Sequence, residues 1–398
     1  MRMESRNMKI TGIKTFVCHA YRTNWVFVKV LTDEAGLYGV GEATLEYKEA
    51  TIVSACQDLE RDMLGKDPRD IEALWHSNYR DAYWRGGPVL MRAISAVDIA
   101  LWDILGKSLD VPVWRLLGGR MRDKVPCYAN AWFAGAKEPE EFAAKAVEAV
   151  ETAGWKGLKW DPFGSAYRQL EPQAFRKALR CVEKVYEAVD GRAEILIEGH
   201  GRFDLPTALR IAHALEAFNI LWFEEPIIPD TIEAIADLRS RVKVPLSFGE
   251  RLYSTWQFRT LLEARGADFV QPDVSHAGGI TELRKIAAIA ESHHIPFCPH
   301  NPSGPVANAA TLQLAASQPG FYLLETMASD VPWRREVCDE SVTLHDGEMH
   351  IPLDRPGIGV DIDEAAIAKH PYQPIGLRHY KGTLTEIRPS DAKAFFSA

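Results

Sequence analysis

Two rhythms of hydrophobic and polar positions divide the chain. The first stretch runs in β-branched and aromatic segments, ITGIKTFVCHA and NWVFVKVLTDEAGLYGVGEA, with a turn at Asp33-Glu34-Ala35-Gly36. Such runs predict strands. From Ala50 the apolar positions fall three and four apart, in ATIVSACQDLERDML and AISAVDIALWDILGKSL, with Gly106 and Gly118-Gly119 at the exits. That spacing predicts helices, so residues 1–126 read as an α+β unit.

From Val125 short apolar runs alternate with longer amphipathic segments: CYANAW, KGLKW, AEILIE, NILWFEE, VPLSFGE, ADFVQPD, IPFCPH and FYLLE, separated by stretches such as PEEFAAKAVEAVETAG and ITELRKIAAIAESHH. Eight strands alternating with helices point to a parallel βα barrel over residues 127–345. An open doubly wound sheet is the competing arrangement, but no Gly-rich dinucleotide loop follows the first strand. After Leu324 the rhythm lapses into a tail with a hairpin, VTLHDGEMHIPL, then PGIGVDID. Residues 346–398 are expected to pack back on the N-terminal unit.

Composition narrows the function classes. The 398 residues are 46% hydrophobic and carry 46 Lys+Arg against 55 Asp+Glu, a net charge of −9. A large core is expected, and a nucleic-acid-binding surface is not. No apolar stretch of about 20 residues predicts a membrane span. MRMESRNMKI lacks a signal-peptide core, and Cys18, Cys56, Cys127, Cys181, Cys298 and Cys338 show no CxxC spacing. Reduced thiols and a cytoplasmic location are the expectation, with a homo-oligomeric assembly.

The chemistry gathers where the barrel runs end. Glu198, Glu224, Glu250, Asp273, His300 and Glu325 close six successive runs, about one βα unit apart. Consecutive strand ends surround a single mouth, where active sites of this fold lie. Glu198, Glu224 and Glu250 would repel one another in a desolvated pocket unless a cation sat among them. Oxygen ligands favour a hard divalent ion, Mg²⁺ foremost. Asp273 beside His300 makes an oriented imidazole, a poised general base. His200 shares a face with Glu198, and is either a second imidazole at the metal or an exposed, capping residue. Lys159 is expected to bind a substrate carboxylate. Asp161, one residue before a proline, either joins it or shapes a turn. Tyr83-Trp84-Arg85-Gly86-Gly87-Pro88 reads as a substrate-covering loop or an interhelical turn, and Trp132 and Trp160 as packing residues or pocket lining.

These residues, with the runs WRGGPVLMRAISAVDIALWDILGK, IEGHGRF, FEEP, FGERL, VQPDVSHAGGITE, PHNPSGPVANAA and LLE, resemble the enolase superfamily. The likeness is to its mandelate racemase subgroup, and most closely to the galactonate and gluconate dehydratases. The resemblance covers essentially the whole chain. It implies a modified (β/α)7β barrel beneath an α+β cap completed by the C-terminal tail. It also implies Glu198, Glu224 and Glu250 as Mg²⁺ ligands, Asp273–His300 as the dyad, Glu325 as a hydrogen-bond donor to an enediolate, and His200 as the dehydratases' second histidine. Two departures stand out. Glu198 stands where Asp is commoner, and Lys159-Trp160-Asp161 lacks the second lysine of the racemases' K-x-K pair.

The resulting expectation is an Mg²⁺-dependent acid-sugar dehydratase, a hydro-lyase acting on D-gluconate or D-galactonate. Mg²⁺ and Lys159 ease removal of the C2 proton by His300, Mg²⁺ and a protonated Glu325 stabilise the enediolate, and His200 protonates the departing C3 hydroxyl. A racemase, epimerase or cycloisomerase on the same scaffold remains open. So does a diacid dehydratase, with Arg85 or Arg202 as the extra cation, and so does a non-catalytic acid-sugar-binding protein.

Overall fold

The β-rich start of the chain folds as a three-stranded antiparallel meander: β1 (Ile10–His19), β2 (Asn24–Thr32) and β3 (Tyr38–Glu42). β2 lies in the middle, which is why Trp25, Val26, Phe27 and Val28 are all buried. The predicted turn at 33–36 joins β2 to β3. Three helices follow, α1 (Glu49–Met63), α2 (Ile71–His76) and α3 (Gly87–Leu109). A computed structural model describes residues 8–81, 83–351 and 354–394.

α3 ties this cap to the barrel. It is buried almost all round, and its Ser95 and Asp98 accept the backbone N–H groups of Gly278 and Thr281 at 2.8 and 3.0 Å. Glu42, at the end of β3, likewise accepts Gly304 N and Ala307 N at 2.6 and 2.9 Å. A carboxylate there meets the unsatisfied donors that open the helix Pro305–Ser317.

The barrel strands are β4 (Lys124–Asn130), β5 (Gly157–Trp160), β6 (Glu194–Glu198), β7 (Trp222–Glu224), β8 (Leu246–Phe248) and β9 (Phe269–Val270), parallel and paired in order. The seventh run pairs at one residue only, where Phe297 bridges Val270 on one side and Phe321 on the other. Pro296 and Pro299 bracket it and lack the N–H that a longer ladder needs. β10 (Leu324–Met327) then pairs in parallel with β4 and closes the ring.

The predicted hairpin forms as β11 (Thr343–His345) and β12 (Glu348–His350) around Asp346-Gly347, both with positive φ, 50° and 70°. Asp-Gly suits that two-residue turn. β12 does not join the cap. It pairs antiparallel with Lys124–Pro126 at the floor of the barrel. The tail then crosses to the cap, where Gly357 bridges Pro112, Glu364 pairs with Lys29 at 2.7 Å, and Gln373 N reaches Asn24 at 3.1 Å. Its last part returns to the barrel mouth. All six cysteines are free and buried, and among the described residues no helix is long and apolar enough to cross a membrane.

Candidate active site

The barrel register sets Glu198 beside Glu224 as strand partners, and Glu250 follows two residues after β8. One oxygen from each lies within 4.8 Å of the others. Lys159, on β5, reaches into the cluster. Its Nζ stands 2.7 Å from Glu224, 2.9 Å from Glu325 and 3.3 Å from Glu198. Burial alone would lower the Lys159 ammonium, but Glu224, Glu325 and their neighbours hold it well above its ordinary value. In this arrangement the Lys159 ammonium is held among three of the protein's own carboxylates, at the place where the sequence reading set it to meet a substrate carboxylate.

Glu325 shares the Lys159 ammonium. Burial would raise its carboxyl, yet Lys159 and His300 outweigh that and hold it below the ordinary value. It accepts hydrogen bonds from Asn130 Nδ2 at 2.8 Å and Asn301 N at 3.2 Å. A carboxylate so surrounded accepts and does not donate. The donor at this spot is Lys159.

On one side of the cluster stands His300, with Nδ1 2.7 Å from Asp273 and Nε2 3.0 Å from Glu250. Burial would lower this imidazole, but Glu250 and Glu325 raise it well above its ordinary value. His276 also leans on Asp273, at 3.3 Å, and its Nδ1 lies 3.0 Å from the Glu250 carbonyl.

On the other side, His200 Nδ1 lies 2.7 Å from Asp161. His200 follows the third barrel strand and His300 the seventh, and these positions face each other across a ring of eight. Asp161 also binds Arg202 and accepts Phe163 N at 2.8 Å. Its oxygens are thus occupied by His200, Arg202 and Phe163 N, which matches the turn-shaping alternative of the sequence reading and orients His200. Arg202, offered as a cation for a second carboxylate, is spent on Asp161. Arg85 is exposed and does not line the cavity.

A barrel of this topology under a cap joining both chain ends, with carboxylates on successive strands, has close counterparts. "Mandelate racemase / muconate lactonizing enzyme, N-terminal domain" matches residues 2–118, and "Enolase C-terminal domain-like" matches residues 141–366. The chain belongs to the enolase superfamily, in its mandelate racemase subgroup. D-galactonate dehydratase of Variovorax paradoxus (strain S110) is 36% identical over 392 residues, 95% of this chain and 100% of that one. The crystal structure of a mandelate racemase/muconate lactonizing enzyme from a Sulfitobacter species superposes with a TM-score of 0.87 at 31% identity, covering 93% of this chain and 97% of that one. That of an enolase superfamily member from Salmonella Typhimurium gives 0.87 at 29% identity, covering 92% and 98%.

The donor set of this enolase-superfamily protein fits a hard divalent cation. Burial, helped by the charge of Glu250 and opposed by Lys159, pushes Glu198 up to about 7. Burial and the charge of Glu198 push Glu224 well above the carboxylate range. Glu198 Oε2 is buried without a hydrogen bond. Glu198, Glu224 and Glu325 share the single Lys159 ammonium, so a bound divalent cation would add counter-charge of which the cluster is short.

The cavity above the cluster measures about 240 Å³. This is smaller than the roughly 300–1,000 Å³ of drug-sized pockets, so it suits a small acid and excludes a polymer. Its roof holds residues that sequence reasoning missed. Arg22 pairs with Glu46 at 2.5 Å, Arg92 donates to the Thr44 carbonyl, and Arg251 bridges Glu225 and Glu250. His379 comes from the tail. Arg251 and Arg92 lie in runs that the sequence reading singled out, FGERL and WRGGPVLMR, while Arg22, Glu46 and His379 do not. Trp160 lines the cavity, while Trp132 packs behind it and donates to the Lys159 carbonyl at 2.9 Å.

Proposed function

We infer that the protein is a hydro-lyase that dehydrates an acid sugar, with Mg²⁺ held by Glu198, Glu224 and Glu250 and an aldonate of the D-galactonate or D-gluconate type as substrate. The observation that carries this reading is the pair of carboxylate-oriented imidazoles, His300–Asp273 and His200–Asp161, on opposite sides of one carboxylate cluster. A racemase also needs a group on each face. Here, however, the second face holds a histidine fixed by a carboxylate, and Asp161 stands where a second lysine would act as base.

The cation, when bound, supplies Lewis-acid polarisation of the substrate carboxylate, which lowers the barrier to loss of the C2 proton. His300, whose raised value rests on the Glu250 and Glu325 charges that a bound cation would offset, takes that proton at Nε2 in its neutral form, and Asp273 fixes the ring through Nδ1. Lys159, its charge held by Glu224 and Glu325, faces the negative charge that develops on the enediolate. His200 gives its proton to the C3 hydroxyl, which leaves as water with the C2–H bonding pair now in the C2–C3 double bond. The enol then ketonises to a 2-keto-3-deoxy acid. Base and acid on opposite faces favour an anti elimination.

A panel of aldonates and aldarates, assayed for 2-keto-3-deoxy product with Mg²⁺ and with EDTA, tests the reading. Product from D-galactonate or D-gluconate, abolished by EDTA, is expected. Rapid C2 epimerisation without loss of water would refute it.

A further inference from the structure

The last described turn of the chain reaches the cavity. His379, Leu384 and Ile387 all line it, although they lie about 50 residues beyond the last barrel strand. The segment is pinned at both ends. Arg378 donates to the Tyr21 carbonyl at 3.2 Å and to the Glu386 carbonyl at 2.6 Å, Gly135 N donates to Thr385 O at 2.8 Å, and Asp330 and Lys393 exchange backbone hydrogen bonds of 2.9 and 3.0 Å.

Between these pins the backbone bends sharply. Tyr380 holds a positive φ of 62°, and His200 below it one of 52°. Non-glycine residues take that conformation only where surrounding contacts support it. The support is mutual: Tyr380 Oη donates to the His200 carbonyl at 2.8 Å, and the His379 ring lies edge-on to the His200 ring at 4.9 Å. Among the described residues no hydrogen bond engages either ring nitrogen of His379. A polar ring with unspent nitrogens thus faces the cavity beside the candidate acid.

We propose that His379, carried by this C-terminal strap, reads the hydroxyl groups of the substrate beyond C3. The assignment deepens the dehydratase reading and rests on it for the substrate's placement. With C1 at the carboxylate cluster and the C3 hydroxyl at His200, the chain from C4 onward passes the next ring along, which is His379. The imidazole can donate to one hydroxyl and accept from another, a pattern suited to a polyhydroxy chain and of no use to a short acid.

The test is calorimetric titration in Mg²⁺ of D-galactonate, D-gluconate and D-glycerate, the last having no carbon beyond C3. The protein carries His300→Asn so that turnover does not interfere, with or without His379→Leu or His379→Gln. His379→Leu should weaken binding of the favoured six-carbon acid about tenfold, the loss of one to two hydrogen bonds, and move the D-glycerate Kd less than twofold. His379→Gln should recover part of the loss. Equal weakening of all three acids, or no weakening of any, overturns the proposal. A tenfold effect confined to the six-carbon acid supports it even if His300-competent protein forms no keto acid, in which case only the dehydratase reading fails. Failure to bind any of the three acids overturns both.

Discussion

Replacing Glu224 with Gln separates the cation site from the fold. Glu224 Oε1 receives Lys159 Nζ at 2.7 Å, while Oε2 receives Trp222 Nε1 at 3.0 Å and Gln271 Nε2 at 2.8 Å. An amide offers one acceptor and one donor group, so one of these sides must lose its match. Keeping the oxygen toward Trp222 and Gln271 turns the NH₂ toward Lys159, which retains Glu198 and Glu325. A lost hydrogen bond to a charged group costs about 1.5–3 kcal/mol. Against it, the variant removes one of several buried like charges, the repulsion that pushes Glu224 well above its ordinary range. The two effects are of one order and oppose each other, leaving a net change of about 1–2 kcal/mol. Unfolding in EDTA should therefore be nearly that of the wild type. In Mg²⁺ the two should part, since a ligand at a hundredfold its Kd stabilises by about 2.7 kcal/mol, and the variant should gain none of it. Thermal unfolding with and without Mg²⁺, beside calorimetric titration of the metal, reads both quantities. Wild-type Mg²⁺ affinity in the variant would refute the assignment.

The two histidines should fail at different steps. In D₂O, His200→Gln should put deuterium at C2 of unreacted substrate while eliminating about 10²–10⁴-fold more slowly, and His300→Asn should put none there. Deuterium appearing only in the His300 variant would reverse base and acid. Asp161→Asn should slow elimination and also destabilise the fold by about 3–5 kcal/mol, because it strips a buried arginine, Arg202, of its counter-charge. Unchanged stability by chemical denaturation would count against that pairing. Asp98, buried in α3 with Oδ1 unpaired, is pushed by burial from 3.8 up to about 7. Its folded form holds a proton that the unfolded chain releases, so stability should fall as pH rises from about 4 through 7, by up to about 4 kcal/mol. Asp98→Asn should flatten that fall, and an unaltered pH–stability curve between pH 5 and 8.5 would show that Asp98 does not drive it.

The ring of strand ends was legible because a barrel repeats. One βα unit per interval puts Glu198, Glu224, Glu250, Asp273, His300 and Glu325 in phase, and residue type alone then suggests a cation and a base. What periodicity cannot carry is the angle at which each side chain leaves its strand. Lys159 was expected to wait for substrate, yet three carboxylates are nearer, and the same contacts keep Glu325 ionised. Asp161 and His200 lie 39 residues apart, and only the adjacency of β5 and β6 makes them partners. The roof is harder still. Arg22, Glu46 and His379 come from loops and tail, and Arg92 from α3 of the cap, outside the barrel repeat, so nothing local in the chain foretells that they share one cavity. Arg85 attracted notice through its aromatic neighbours, and those neighbours are exposed: Tyr83 is 79% and Trp84 77% accessible.

The route of the tail bears on how the protein is made. From Thr343 to Lys393 the chain visits the barrel floor, the cap sheet and then the mouth, pairing with residues synthesised more than 200 positions earlier in the barrel and more than 300 earlier in the cap. Chains emerge N-terminus first, at about 5–20 residues per second. Between the closing of the barrel at β10 and the arrival of His379 about 50 residues later, the nascent protein therefore carries its glutamates and dyads in a pocket still lacking a wall. The last few seconds of translation complete it. A chain cut after residue 368 would keep Glu198, Glu224 and Glu250 together in the barrel and leave open the side of the cavity that His379, Leu384 and Ile387 line. The carboxylates and the wall that closes over them are thus made in that order, and the cavity is whole only once the tail is in place.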